Sequence, residues 1–394
     1  MLAMGRVLPA LFTLLNFYSC LATSANADDR IRIGVVAPLS GPLGPYGQSL
    51  VQGAKDAADR INASNGVLDK KIEIVSFDDA GMQASATAEA HKVADSGLRF
   101  VIGHLTRATS IAGAGIYSEK KILQIEPRAS RLPSEGPAKE NQFSLCGADA
   151  ERGEVLSYYL THQLKAHSVG TLSEDDSASR SLISGLGDIL SKLGVQVKSS
   201  EASSMMDMQS ALNRLHNSGP DAIVIRLLED ASYASKLAKM SKLSSKVPMI
   251  VDRASSSPVG DMPQPGTPQL LLLQEVDLSV GATSPPTELN DFRKRGPSAA
   301  NTLLLGFVAV QVIAKGIGET HSVEPSAVSS WLRSNASPTI LGDVKFDNTG
   351  AGSIWRFAIY QYGAGQLRPD GTNVTCDKGC ACKDGGCGCD CPKK

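Results

Sequence analysis

Aromatic residues are scarce in this chain: they make up 5% of its 394 residues, and Trp331 and Trp355 are the two indoles. A sugar site that stacks rings on indoles is therefore disfavoured. Charge of one sign is lacking too. The 39 Lys and Arg residues against 40 Asp and Glu leave a formal net charge of −1. No global basic field draws such a chain to nucleic acid or anionic lipid. Cysteine is missing from the body, where Cys146 stands alone between Cys20 and a cluster in the last nineteen residues. An exported body with one thiol must fold without an internal disulfide. Cys146 reads as a nucleophile or, more simply, as a small buried hydrophobe. Enzyme signatures are also missing: there is no G-x-S-x-G, no G-x-x-x-x-G-K-[ST] and no H-E-x-x-H. His91, His104, His162, His167, His216 and His321 are scattered without metal-ligand spacing. No feature argues for catalysis, and the chain reads as a non-enzyme.

What is present begins with an export signal. Arg6 precedes an apolar run over residues 7–15, and Ala25-Asn26-Ala27 fits small-x-small cleavage, so residues 1–27 read as a signal peptide. The run is too short to span a bilayer, and no later run of about 18 apolar residues argues for a membrane anchor. Lipoprotein processing at Ser19-Cys20 is the rival reading, weakened by Phe17 three residues before the cysteine.

After the signal, apolar runs alternate with helical spacing. Residues 31–37 (IRIGVVA) read as a strand; residues 49–62 place Leu50, Ala54, Ala57 and Ile61 on one helical face, ended by Asn65-Gly66. Strands are expected again over 71–77, 100–103 and 122–125, with a helix over 84–96. The βαβα rhythm restarts after Cys146, with strands over 168–172, 195–199, 222–225 and 248–251 and helices over 151–164, 179–193, 208–217 and 231–242. A helix over 299–316 follows, then closing strands at Phe346-Asp347 and over 355–362. Two α/β units in tandem, each with a doubly wound parallel sheet, account for this pattern. Residues 258–268 and 284–286 read as linkers, and from Gly363 onward the composition is that of a flexible tail. Asp78-Asp79, directly after a strand, read as a loop-fixing pair rather than as metal ligands.

The stretches IGVVAPLSGPLGPYG, GAKDAADRINASNGVLDKKIEIVSFDDA and FVIGHLTRATS resemble the leucine/isoleucine/valine-binding proteins, periplasmic type I solute receptors for branched-chain and hydrophobic amino acids and amides. The likeness runs from about Arg32 to Tyr362 and is most specific in the first half. It implies two Rossmann-like lobes with a central ligand cleft and three crossover segments. It also implies a monomer in the periplasm that hands a small-molecule solute to ABC permease and ATPase subunits in the inner membrane, with no required cofactor and no nucleic acid. On that template, lobe 1 comprises residues 28–149 plus 276–336, lobe 2 comprises 150–275 plus 337–365, and residues 366–394 form the tail.

In the family, hydroxyls and backbone amides of the first lobe hold a carboxylate, and an acid of the second lobe holds the amine. Carried onto this chain, the ligand positions are Tyr46, Arg107, Thr109, Arg128, Ser130 and Arg253. Three of them depart from the pattern. Arg107 stands where a serine is expected after GHLT, Arg128 where a small residue is expected after EP, and Arg253 where the acid is expected after PMIV. Two expected tyrosines of the second lobe are Ala178 and Leu228. An ammonium about 4 Å from a guanidinium would be repelled by roughly 4 kcal/mol at an effective dielectric near 20. The solute expected is therefore amino-acid-like or, from the arginines, a carboxylate. A register slip of two residues would instead make Arg226 the cleft cation or Glu229 the amine partner.

The tail is the feature the family does not share. Cys376, Cys380, Cys382, Cys387, Cys389 and Cys391 include C-x-C units on a glycine-rich backbone. Such spacing suits a soft metal ion, Zn²⁺ or Cu⁺. Disulfides in an oxidising compartment are the other reading, and six cysteines allow fifteen pairings. A periplasmic metal-binding or sensory protein built around this tail is the alternative to a transport receptor.

Overall fold

The structure is a computed structural model that describes residues 30–128, 140–145, 149–174, 177–202, 205–227, 247–253, 270–275, 278, 297–354, 357–363 and 366–369. Its first half is built on β1 (Arg30–Ala37), β2 (Lys71–Asp78), β3 (Phe100–Gly103), β4 (Leu123–Glu126) and β5 (Gln142–Ser144). All four pairings are parallel, in the order β2-β1-β3-β4-β5. Parallel strands need crossovers, and these are α1 (Gly44–Ala63), α2 (Gln83–Asp95) and α3 (Arg107–Glu119). The near-continuous burial of β1, β3 and β4 follows, because helices cover both faces.

On one face, α1 lies against α7 (Pro297–Thr320). Gly53 makes that seam tight: a Cβ there would fall 1.8 Å from the Leu303 carbonyl oxygen. On the other face α2 and α3 close over Val36, Val101 and Leu98 with Ala90, Val93 and Tyr117. Within α7, Ala299–Thr320 is long and apolar enough to cross a membrane, although the sequence shows no unbroken apolar run; most of it is buried in the protein, which makes it a core helix. It runs four residues past the helix expected to end at 316, to Thr320, and is followed by α8 (Pro325–Ser334).

The second sheet uses β6 (Ser168–Glu174), β7 (Gln196–Ala202), β8 (Ala222–Leu227), β9 (Met249–Arg253), β10 (Leu270–Glu275), β13 (Phe357–Gly363) and β14 (Gln366–Pro369). Its order is β14-β13-β10-β9-β8-β6-β7. The strands from β6 to β10 are parallel, whereas β13 and β14 join antiparallel at one edge. Helices α4 (Asp149–Tyr158, continued by a π-helical turn, Tyr159–Gln163) and α5 (Ser177–Lys192) cover one face. Helix α6 (Met205–Asn217) covers the other. The chain thus passes three times between two Rossmann-like lobes.

Two expectations need correction. The hairpin β11 (Ser337–Thr339) and β12 (Gly342–Val344) packs on α7 of the first lobe rather than belonging to the second. Phe346 meets Phe143 edge-on, and Ala351 bridges Ser144 of β5, so the last passage falls after Ile354 rather than at 336/337. The expected tail also begins with structure, since residues 366–369 form β14 against β13. The helix expected over 231–242 and the 258–268 linker lie outside the described residues.

Candidate functional site

The passages between lobes fix what faces what. The first leaves the carboxyl end of β5 at Ser144 and enters α4 at Asp149. In a crossover unit the helix starts at the carboxyl end of the strands, so this passage joins the carboxyl edges of the two sheets. The last passage does the same. Gly352 donates to the Ser144 carbonyl at 2.7 Å, and Phe357 then pairs with Glu275 at the carboxyl end of β10. Open α/β sheets bind ligands beyond those edges, and interlobe clefts are favoured pockets.

At the first edge, acids hold loops. Asp78 Oδ1 accepts the backbone N–H of Leu39 and of Ala80, each at 2.8 Å, so the loop after β1 is tied to the end of β2. Burial works against its charge, but hydrogen bonds from Ser40, Ala80 and Leu39 outweigh this and hold its carboxyl below the usual range. Asp79 Oδ1 accepts from Gly81 N at 2.9 Å, and its Oδ2 lies 2.7 Å from His104 Nδ1. His104 Nε2 lies 3.0 Å from the Tyr117 hydroxyl. All three side chains are fully buried. Burial, then the carboxylates of Asp79 and Glu89, push Tyr117 far above the ordinary phenol range, so it keeps its proton. An imidazole that donates from Nδ1 to Asp79 and accepts the Tyr117 hydroxyl at Nε2 satisfies the whole chain. Gly113 makes room: a Cβ there would fall 2.6 Å from His104 Nε2. The aspartate pair therefore fixes loops, as expected. No group of His, Cys, Asp and Glu among the described residues is arranged to hold a metal.

The ligand positions carried over from the resemblance fare unevenly. Arg107 is the first residue of α3, partly exposed. Thr109 is fully buried and its hydroxyl donates to the Thr106 carbonyl at 2.9 Å, while Thr106 caps α3 by accepting the Thr109 N–H. The structure gives Thr109 the task of shaping the loop. Arg128, two residues beyond β4, donates from Nη1 to Thr302 Oγ1 of α7 at 3.1 Å. Tyr46 lies in the first turn of α1, buried in the main hydrophobic cluster. Arg253 ends β9, so it does stand at the carboxyl edge, but its side chain lies outside what is described. Ser130, Cys146, Leu228, Glu229 and all six tail cysteines also lie outside the described residues.

At the second edge the carboxyl group is held by cations. Asp252 of β9 accepts Arg152 Nη1 on Oδ1 and Arg226 Nη1 on Oδ2, each at 2.5 Å. The guanidinium of Arg152 also stacks over the Phe357 ring, 4.3 Å from its centroid. Sequence reasoning reached Arg226 only as an alternative and missed Arg152 and Asp252.

Comparison with known proteins matches this arrangement. A family model described as periplasmic binding protein covers residues 30–366. The Leu/Ile/Val/Thr-binding protein of Salmonella typhimurium is 25% identical over 366 residues, which are 89% of this chain and 97% of that protein. A leucine-binding protein from Thermotoga maritima superposes with a TM-score of 0.69 at 19% identity, covering 86% of this chain and 97% of that one. A solute-binding protein of an ABC transporter from R. palustris, solved with benzoate, gives 0.63 at 15% identity, covering 86% and 95%.

Proposed function

The chain belongs to the periplasmic binding protein family, and we propose that it is the solute receptor of an ABC importer of the branched-chain amino acid and amide type. The observation that carries this is the joining of two carboxyl edges by short passages, which sets the strand-end loops of both lobes around one cleft. A solute held there bridges the lobes, and hinge closure turns occupancy into a shape that permease subunits can read. Catalysis is not part of this task, and the family consists of binding proteins. The partners are a small solute and the permease and ATPase subunits of the importer. The receptor works as a monomer in the periplasm, exported through residues 1–27.

The cysteine tail lies beyond the family match, which stops at residue 366. It is an addition to the receptor rather than its working part. Its C-x-C units bind a soft metal ion, Zn²⁺ or Cu⁺, when the thiols are reduced. Metal-to-protein stoichiometry with and without residues 376–394 tests this: equal metal content in both forms would refute it.

The receptor reading is tested by thermal shift on residues 28–394 against amino acids, carboxylates and amides. A solute at a hundredfold excess over Kd adds about 2.7 kcal/mol of stability. The shift should survive removal of residues 376–394. A shift produced only by metal, and only with the tail attached, would defeat the reading.

A further inference from the structure

Recognition in a cleft is strongest when the strand-end loops hold their shape before the solute arrives, because ordering them on binding costs affinity. At the first lobe's edge a buried polar chain bears on this. Asp79, His104 and Tyr117 are each 0% exposed. In the order β2-β1-β3, Asp79 follows β2 and His104 follows β3, with β1 between them. Strands two apart in a sheet are separated by about 9–10 Å. The 2.7 Å contact of Asp79 Oδ2 with His104 Nδ1 therefore spans the end of β1. Asp79 also donates its N–H to the carbonyl of Ala37, the last residue of β1, at 3.1 Å, and its own carbonyl accepts from Met82 N, just before α2, at 2.9 Å. One residue thus ties the exits of three strands to the entry of a helix.

His104 is held from several sides. Its Nε2 meets the Tyr117 hydroxyl at 3.0 Å, and its carbonyl accepts Ser110 Oγ at 3.2 Å. The carbonyl before it, that of Gly103, accepts Gln124 Nε2 at 2.9 Å. Ser110 lies in the first turn of α3 and Tyr117 in the last, so both ends of that helix are tied to one residue. Cohesion alone does not call for such a chain, since apolar groups of the same shape can stabilise a core equally well. What a fully satisfied polar chain adds is a single defined arrangement. The segment it directs is residues 105–108: Leu105 is buried, Thr106 caps α3, and Ala108 is exposed at the carboxyl edge.

Resting on the receptor reading, we propose that His104 is a positioning residue for the solute. Held by Asp79 and Tyr117, it fixes the exit of β3 and the first turn of α3 in the shape that receives the solute, and it does so from beneath, without touching the solute.

The test compares Tyr117→Phe, which removes one hydroxyl and keeps the ring, with Val93→Ala, which truncates the same buried cluster and removes no hydrogen bond. Residues 28–394 carry both changes separately, and leucine, alanine, leucinamide, pyruvate and benzoate are the calorimetric probes. Tyr117→Phe should weaken every probe that binds the wild type by about fivefold, the equivalent of one lost hydrogen bond. Val93→Ala should keep those affinities within about twofold, whatever it costs in urea resistance. Without solute, the amides of residues 105–110 should exchange with solvent about tenfold faster in Tyr117→Phe, while those of β1 keep their rate. If Tyr117→Phe does not fold, Ser110→Ala, which frees the His104 carbonyl, takes its place and should weaken the same probes about threefold. Unchanged affinity, or an equal loss in Val93→Ala, would overturn the inference and leave the receptor reading standing. No binding of any probe to the wild type would overturn both.

Discussion

At the carboxyl edge of the first sheet, Asp78 and Asp79 spend their oxygens on the backbone N–H groups of Leu39, Ala80 and Gly81 and on His104. At the corresponding edge of the second sheet, Asp252 spends both of its oxygens on guanidinium groups. The same kind of residue, at the same place in the same kind of fold, thus does two things. In the first lobe the acids set where backbone goes, so the strand-end loops present amides and hydroxyls in fixed positions. In the second lobe the acid sets where positive charge goes. Two lobes built on one plan can therefore divide recognition, one supplying geometry and the other supplying charge.

Removing the acids one at a time should expose this division. Asp252→Ala removes the carboxylate that two buried guanidiniums share and should cost about 3–5 kcal/mol. Urea denaturation measures it. A second replacement, Arg226→Met in the Asp252→Ala background, should recover part of the loss, because a buried cation that has lost its Asp252 partner is then removed as well. Failure to recover anything would mean that shape, not charge, is what Asp252 maintains.

Asp79→Ala should cost less, about 1–3 kcal/mol, since it leaves a buried imidazole donor unsatisfied rather than a buried charge. The same denaturation experiment compares the two acids directly. Equal losses for Asp79 and Asp252 would break the contrast between the two edges. Thr106→Ala removes the cap that receives the Thr109 N–H at the start of α3 and should cost about 1 kcal/mol. Its effect on solute affinity is the sharper reading: if the first lobe recognises by geometry, loosening this loop should weaken every carboxylate by a similar factor rather than change their order.

Most of the frame of the molecule was legible before the structure, and the reasons are local. The run IRIGVVA is buried almost throughout β1, and the Leu50, Ala54 and Ala57 face of α1 is the face that meets the core. Periodicity reports such burial directly. What was not legible depends on contacts remote in sequence. Arg152 reaches Asp252 across 100 positions, and nothing in the spacing near either residue announces it. The hairpin of β11 and β12 belongs with the first lobe because it packs on α7, a choice made by tertiary contact alone. His104 was passed over because metal-ligand spacing was the pattern sought. A usable signal was present: an aspartate pair ending one strand and a histidine just beyond its near neighbour in the sheet, with Gly113 and Tyr117 following at helical spacing.

The smallest effect comes from an acid at the opposite, amino-terminal edge of the second sheet. Asp221 Oδ2 accepts the backbone N–H of His167 at 2.8 Å and of Ser168 at 2.9 Å, tying the start of β8 to the start of β6. Those two hydrogen bonds, His167 first, hold its carboxyl below the ordinary value of 3.8 against a small opposing effect of burial. A folded pKa that is depressed means stability fully present above the unfolded value and lost as pH falls through the folded one. Asp221 is exposed, so solvent discounts the contribution to under about 1 kcal/mol. Asp221→Asn should therefore be slightly less stable than the wild type at pH 7, with the difference shrinking as pH drops below 3.8, while solute affinity at pH 7 stays unchanged. Paired denaturation curves at several pH values measure the first part, and calorimetry the second. If affinity followed the Asp221 substitution, recognition would extend beyond the carboxyl edges, and the division of labour between them would be incomplete.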